Sequence, residues 1–323
     1  MRVLEMVRPG DADVLRFTER AAPTPGPGQV LVRVAYAGLN FTDVLARRGV
    51  PGYAGSWPFT PGLEIAGTVE VVGDGVAGLA AGDLVTAFTP QGGGYADLAV
   101  ADARLTAPVP PGFDLATAAA MPLTWATALG LTRRAQAGPG DAVLVTSAGG
   151  GVGTALAAVL ARQSVRTVVG GAGSLTKLAD LAPGVVPVIR DDAFWTDAVA
   201  AAGSPFDVVL DSIGGVVLQE AAEHLAIGGR LVSYGAAAGQ PAPQTPAYPA
   251  LLAGNQTVSG FSMLGLARTA PHRVGTLIQD VVALVTNGLA VPAPAVVQWE
   301  QLIDAHVLQS EGKALGKTVV AIE

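Results

Sequence analysis

Leu144–Leu156 reads LVTSAGGGVGTAL, with four glycines among residues 149–153. On its left, Ala142–Thr146 is a short apolar run with the character of a buried strand. On its right, Val152–Arg162 is a run of small and apolar residues that predicts a helix. The alternation continues along the chain. Arg166–Val169 is expected to be a strand and Leu175–Leu181 a helix, then Val185–Ile189 a strand and Ala193–Ala202 a helix. Asp207–Asp211 and Val216–Leu225 form a further strand and helix, followed by strands at Arg230–Tyr234 and Gln256–Ser259. Short apolar strands alternating with helices predict a parallel sheet covered on both faces. With 42 glycines in 323 residues, the glycine count alone says little. The position of the cluster, at the first strand-to-helix turn of the series, is what carries information.

The first ~120 residues read differently. Leu31–Ala35 and Ile65–Val72 are strand-like, and Pro-Gly turns at 25–28, 51–52 and 61–62 break the pattern. This predicts a small barrel or sandwich. Leu115–Leu131 predicts a helix interrupted at Pro122, Val274–Asn287 an amphipathic helix, and Lys317–Ile322 a terminal strand returning to the first domain.

Composition narrows the classes. Half the residues are hydrophobic, yet no run approaches the ~20 residues of a bilayer span, and Ala155–Ala161 is closed by Arg162. MRVLEMVRPG lacks the basic and apolar regions of an export signal, so a cytoplasmic location is expected. There is no cysteine, which removes disulfides and thiolate zinc sites. A net charge of −7 without a basic stripe argues against nucleic acid. His224, His272 and His306 stand in no ligand spacing, so no metal is expected.

Strand, glycine turn and helix start form the dinucleotide-binding context. Glycine admits the pyrophosphate to the backbone, and the helix N-terminus offers N–H groups and a positive dipole end. The fingerprint is Ala148-x-Gly150-x-x-Gly153, with Gly151 and Val152 inside it and alanine where the first glycine usually stands. The competing reading is a tight turn in a glycine-biased chain. An NAD site places an acid after the second strand to grip the ribose. Here that strand ends Val169-Gly170-Gly171-Ala172-Gly173-Ser174, and Lys177 follows. A hydroxyl and a cation suit a 2′-phosphate, so NADPH is the expected cofactor.

The chain as a whole resembles the zinc-free medium-chain dehydrogenase/reductases, the quinone oxidoreductase group that includes zeta-crystallin-like proteins and polyketide enoyl reductases. The carrying segments are Ala37–Leu45, Pro61–Val69, Gly93–Ala96, Met121–Thr124, the glycine loop, Leu210–Gly215 and Gly228–Gly235. The resemblance implies a Rossmann doubly wound parallel sheet domain (121–267) inserted in a GroES-like β-barrel domain (1–120 and 268–323), an α/β protein overall. It implies NADPH, no metal, and hydride transfer to a quinone or an α,β-unsaturated carbonyl.

By the same resemblance, Asn40 and Asp43 lie near the nicotinamide, with bracing of a helix as the plain alternative for Asp43. Thr127 approaches the cofactor, and Ser174, Lys177 and Arg190 surround the 2′-phosphate. Ser212 and Tyr234 flank the cofactor, Phe261, Ser262 and Met263 lie beside the carboxamide, and Lys317 is a basic contact; Phe261 reads equally as core. Two departures stand out. Ile189 replaces a tyrosine common before Arg190, and Pro51 stands where a substrate-side tyrosine is common, with Tyr53 two residues later. Asn40 or cofactor hydroxyls are expected to stabilise an enolate oxygen, and Tyr53 or water to deliver the proton. The rivals are a pathway-specific polyketide enoyl reductase or cyclase acting on a thioester-bound substrate, whose pocket Gly239–Tyr248 would shape, and a catalytically quiet NADPH-binding protein. A homodimer through the strand at 256–259 is expected.

Overall fold

A computed structural model describes residues 1–179, 181–239 and 248–322. They form two compact units: Met1–Ala126 with Met263–Glu323, and Thr127–Ser262. The expected limits at 121 and 268 therefore shift to 127 and 263. Met121–Trp125 is a π-turn whose amides bond to Glu64 of the first unit, and this holds it with the barrel.

In the first unit, strand Gln29–Gly38 is the hub. It pairs antiparallel with Glu64–Val72, Leu98–Asp102 and Thr318–Ala321. Leu84–Phe88 and Thr106–Pro108 extend one side, and Ala295–Gln298 adds in parallel to Thr318–Ala321. Alternation puts Val30, Val32 and Val34 into a core with Leu4, Met6, Ile65, Val85 and Tyr95. The Leu115–Leu131 helix is in fact Leu115–Ala118, the π-turn carrying Pro122, and Ala126–Ala135. The amphipathic helix runs Pro271–Thr286. The C-terminal region also holds helix Leu302–Ser310 and strand Ala295–Gln298, which were not expected from the sequence.

In the second unit, six strands are all parallel. Their order is Val185–Ile189, Thr167–Ala172, Ala142–Val145, Phe206–Asp211, Leu225–Ser233, Thr257–Gly260. Numbered along the unit this is 3-2-1-4-5-6, the doubly wound order, with its switch point between the first and fourth strands. The expected α/β class, a Rossmann sheet between two segments of a GroES-like barrel, is thus borne out. No helix among the described residues is long and apolar enough to cross a membrane. Residues 240–247, most of the stretch expected to shape a substrate pocket, lie outside the described residues.

Gly67 lies opposite Val34, where the hub strand's register shifts. A Cβ there would overlap the Arg33 carbonyl. Gly67→Ala is expected to destabilise the chain by about 2 kcal/mol or more. Gly55→Ala, with open space around its Cβ, is expected to stay within about 0.5 kcal/mol. Denaturant midpoints of the two variants make the comparison.

Candidate active site

The glycine loop sits at the C-terminal end of the first strand of the Rossmann sheet. Gly150 caps helix Gly151–Ala161 in extended conformation. A Cβ on Gly153 would lie 2.5 Å from the Ala148 carbonyl oxygen, so glycine is what lets the loop fold onto the helix start. Val152 is half-buried in the first helical turn. The Ala148 methyl comes within 2.7 Å of where a Gly170 Cβ would stand. It fills space over the second strand, a physical reason for alanine at the variant fingerprint position.

Ser174, Lys177 and Arg190 gather beside this loop. A Cβ on Gly149 would sit 3.0 Å from Lys177 Cβ. The Lys177 amide donates to Ser174 Oγ at 3.3 Å. Arg190 Nη1 donates to the Thr146 carbonyl at 2.9 Å, and Nη2 lies 3.0 Å from the Cβ position of Gly173. Burial lowers the Lys177 ammonium below the usual lysine range, and Arg190 beside it adds to the effect. Two cations held this close suit a shared anion.

Across the switch point, Asp211 is fully buried. It accepts from Thr146 Oγ1 at 2.8 Å, Ile213 N at 3.0 Å and Gly214 N at 2.9 Å. Burial raises its pKa against these bonds. Ser212 and Tyr234 follow the fourth and fifth strands. The Tyr234 amide donates to the Asp211 carbonyl at 2.8 Å, and burial pushes its phenol up. Phe261 lies against Gly130, where any Cβ would overlap its ring, so it packs within its own unit. Thr127 is buried at the start of helix Ala126–Ala135, and Met263 is buried in the other unit.

The barrel unit holds a second polar cluster, centred on a residue the sequence reading passed over. Glu64 is fully buried in strand Glu64–Val72. Its carboxylate accepts from Asn40 Nδ2 at 3.0 Å, Leu123 N at 2.9 Å, Thr124 N at 3.1 Å and Thr124 Oγ1 at 3.0 Å. It also forms an ion pair with Lys317 Nζ. Lys317 donates in addition to the Leu39 carbonyl at 2.6 Å and to Asn40 Oδ1 at 3.0 Å. The ammonium expected as a cofactor contact is therefore engaged within the barrel. The signal was available: a glutamate inside Leu63-Glu64-Ile65-Ala66 has to be paired if buried.

Asn40 and Asp43 form a capping box on helix Phe41–Arg47. Asn40 Nδ2 directs its hydrogens to Glu64 and to the Gly38 carbonyl at 3.3 Å. The donor expected to meet an enolate is thus committed to the barrel. Asp43 is 1% exposed. It accepts from Asn40 N at 3.0 Å, Gly62 N at 3.1 Å and Tyr95 Oη at 2.9 Å. Burial raises its pKa to about 6 despite those bonds. These contacts are those of a brace, the alternative set beside its catalytic role. Tyr53 is half-buried against the barrel core. His306, T-shaped to the Tyr95 ring, is 1% exposed, and among the described residues neither ring nitrogen has a hydrogen-bond partner. Burial and the Arg47 guanidinium lower its pKa to about 3.

Two outcomes test this cluster. Glu64→Gln strands a buried ammonium and is expected to cost about 3–5 kcal/mol, while Glu64→Gln with Lys317→Met recovers part of the loss. Losses that simply add in chemical denaturation would exclude a coupled pair. For His306, the folded-state pKa lies below the unfolded 6.5, so its contribution to stability is full above 6.5 and falls away in acid. Asp43 has the opposite sign between about 4 and 6, with a smaller shift. Relative to His306→Leu, the wild-type chain is expected to lose about 1.4 kcal/mol per pH unit below pH 6.5. Parallel stability curves for the two from pH 7 to 4.5 would refute this.

Comparison with known proteins agrees with this fold. The alcohol dehydrogenase GroES-like domain model matches residues 26–111, and the zinc-binding dehydrogenase model matches 184–320. The pikromycin polyketide synthase component PikAII of Streptomyces venezuelae is 34% identical over 97% of this chain, which spans only 8% of that protein's length. The quinone oxidoreductase of Rattus norvegicus is 33% identical over 73% of each chain. Among solved structures, the mycobacterial protein Rv1454c complexed with NADPH superposes with a TM-score of 0.88 at 27% identity, covering 99% of both chains. The CurK enoyl reductase does so with 0.85 at 25%, covering 99% and 98%. Zinc, named in one family model, does not fit this donor set. Cysteine is lacking, and among the described residues no three His, Asp or Glu are placed to hold a metal. On fold, strand order and these similarities, the chain belongs to the medium-chain dehydrogenase/reductase family of oxidoreductases, to which the quinone oxidoreductases belong.

Proposed function

We propose that this protein binds NADPH and reduces a quinone or an α,β-unsaturated carbonyl. One observation carries the reading: Ser174, Lys177 and Arg190 converge at the ends of the second and third Rossmann strands, beside a glycine-capped helix start. The helix N-terminus at Gly150–Gly153 is suited to the pyrophosphate, and the two cations with Ser174 to the 2′-phosphate. Ser212 and Tyr234, at the ends of the fourth and fifth strands, would border the rest of the cofactor, with Thr127, Phe261 and Ser262 of the same unit. The mycobacterial relative complexed with NADPH supports the choice of cofactor. NADPH supplies a hydride when bound. The protein's share is orientation and charge. With the Asn40 amide committed to Glu64, stabilisation of a developing enolate falls to other donors. Tyr53 or solvent delivers the proton. A homodimer through the Thr257–Gly260 edge strand belongs to the same reading.

Similarity to a polyketide synthase and to an enoyl reductase favours one second reading, reduction of a thioester-bound enoyl chain. NADPH oxidation over a panel of quinones, enones and enoyl thioesters separates the two by which acceptor turns over. Binding without turnover on any acceptor would leave a quiet NADPH-binding protein. Lys177→Ala is expected to weaken NADPH binding about tenfold, the loss of a charge-assisted contact, with NADH binding little changed in fluorescence titration. Equal effects on both cofactors would refute the 2′-phosphate assignment.

A further inference from the structure

Thr146 directly follows the first Rossmann strand and is fully buried at the switch point. Its hydroxyl donates to Asp211 Oδ1 at 2.8 Å and accepts from the Ser212 amide at 3.3 Å. Its carbonyl accepts Arg190 Nη1 at 2.9 Å. Arg190 follows the third strand, and the second strand lies between it and Thr146 in the sheet. The arginine side chain therefore spans the end of the second strand to reach its anchor. The guanidinium passes close over Gly173: a Cβ there would stand 3.0 Å from Nη2 and would push the tip aside by a few tenths of an ångström. Burial lowers the Arg190 pKa, and the charge of Asp211, fixed by the Ile213 and Gly214 amides, partly offsets this.

A valine would fill the buried position 146 as well, and burying Asp211 incurs a desolvation cost. A fully bonded polar network in such a place confers one geometry. We infer that Thr146 and Asp211 are positioning residues for Arg190, holding its guanidinium over Gly173 and so setting the preference for a nicotinamide dinucleotide bearing a 2′-phosphate. This rests on the NADPH reading above. Arginine has much rotamer freedom to lose on binding an anion, and a guanidinium already anchored loses less of it.

The test is fluorescence titration of the full chain with NADPH and with NADH. Thr146→Val and Asp211→Asn are expected to weaken NADPH about tenfold while NADH changes less than about twofold, and Thr146→Ser, which keeps the hydroxyl, to retain the wild-type ratio. Gly173→Ala displaces the guanidinium tip without touching Thr146 or Asp211, and is expected to reproduce the loss even if the buried variants fold poorly. A wild-type preference for NADPH that survives Gly173→Ala, or equal weakening of both cofactors by Thr146→Val, overturns the positioning role alone. A wild-type chain that binds the two cofactors alike overturns the NADPH reading and the positioning role with it.

Discussion

The buried carboxylate of Glu64 organises the barrel unit. A carboxylate inside an apolar strand is tolerable only when its oxygens are fully matched by donors. The donors come from segments far apart in sequence: Asn40 ahead of the first helix, Leu123 and Thr124 in the π-turn, and Lys317 before the last strand. The π-turn Met121–Trp125 carries Pro122 at its second position, and the first amides of a helical turn have no partner of their own. They are therefore available to an anion, and the turn's dipole favours one. Satisfying one acid ties the helix entry, the approach to the Rossmann unit and the returning C-terminus to a single point. That is why residues beyond 316 fold with residues near 40.

The same constraint redistributes roles. Asn40 looks like a site amide because it is polar between Leu39 and Phe41. Its partners are Glu64, Gly38, Lys317 and Thr124, which leaves it a fixed structural amide. Asp43 ties the helix cap to Gly62 and Tyr95. Gly62 adopts φ +95°, and a Cβ there would stand 2.6 Å from the Tyr95 amide nitrogen. The turn at 61–62 is thus glycine-dependent because Asp43 and Tyr95 close in on it from two sides.

In the Rossmann unit the governing constraint is close approach of backbones at the strand ends. Gly153 lies under Ala148, Gly170 under the Ala148 methyl, and Gly235 over Ser212. Removing Cβ atoms at these points lets the loops collapse onto the sheet, so that charged groups from separate strands, Lys177 and Arg190 among them, meet at one edge of the glycine loop. The polar thread from Arg190 through Thr146 to Asp211 crosses the switch point, where a doubly wound sheet opens its ligand crevice.

The strand–turn–helix series was legible because period and glycine position are local properties: each strand expected between 142 and 259 is present, with ends displaced by a few residues. A thiolate zinc site was ruled out by the lack of cysteine. The closeness of Lys177 to the glycine loop was legible because Lys177 follows shortly on the second strand. Glu64, Thr124 and Tyr95 were not legible as a site, because their partners are long-range and strand alternation does not say which buried polar group meets which. The helix Leu302–Ser310 is not legible because its apolar residues Leu302, Ile303, Val307 and Leu308 are spread around the helix and make no single stripe. By itself, then, the sequence determined the fold class and the place of the glycine loop, since these follow from local pattern. Only the tertiary structure decided that Lys317 and Asn40 serve Glu64, and that Arg190 is anchored to Thr146, since burial in three dimensions sets which charges must be paired.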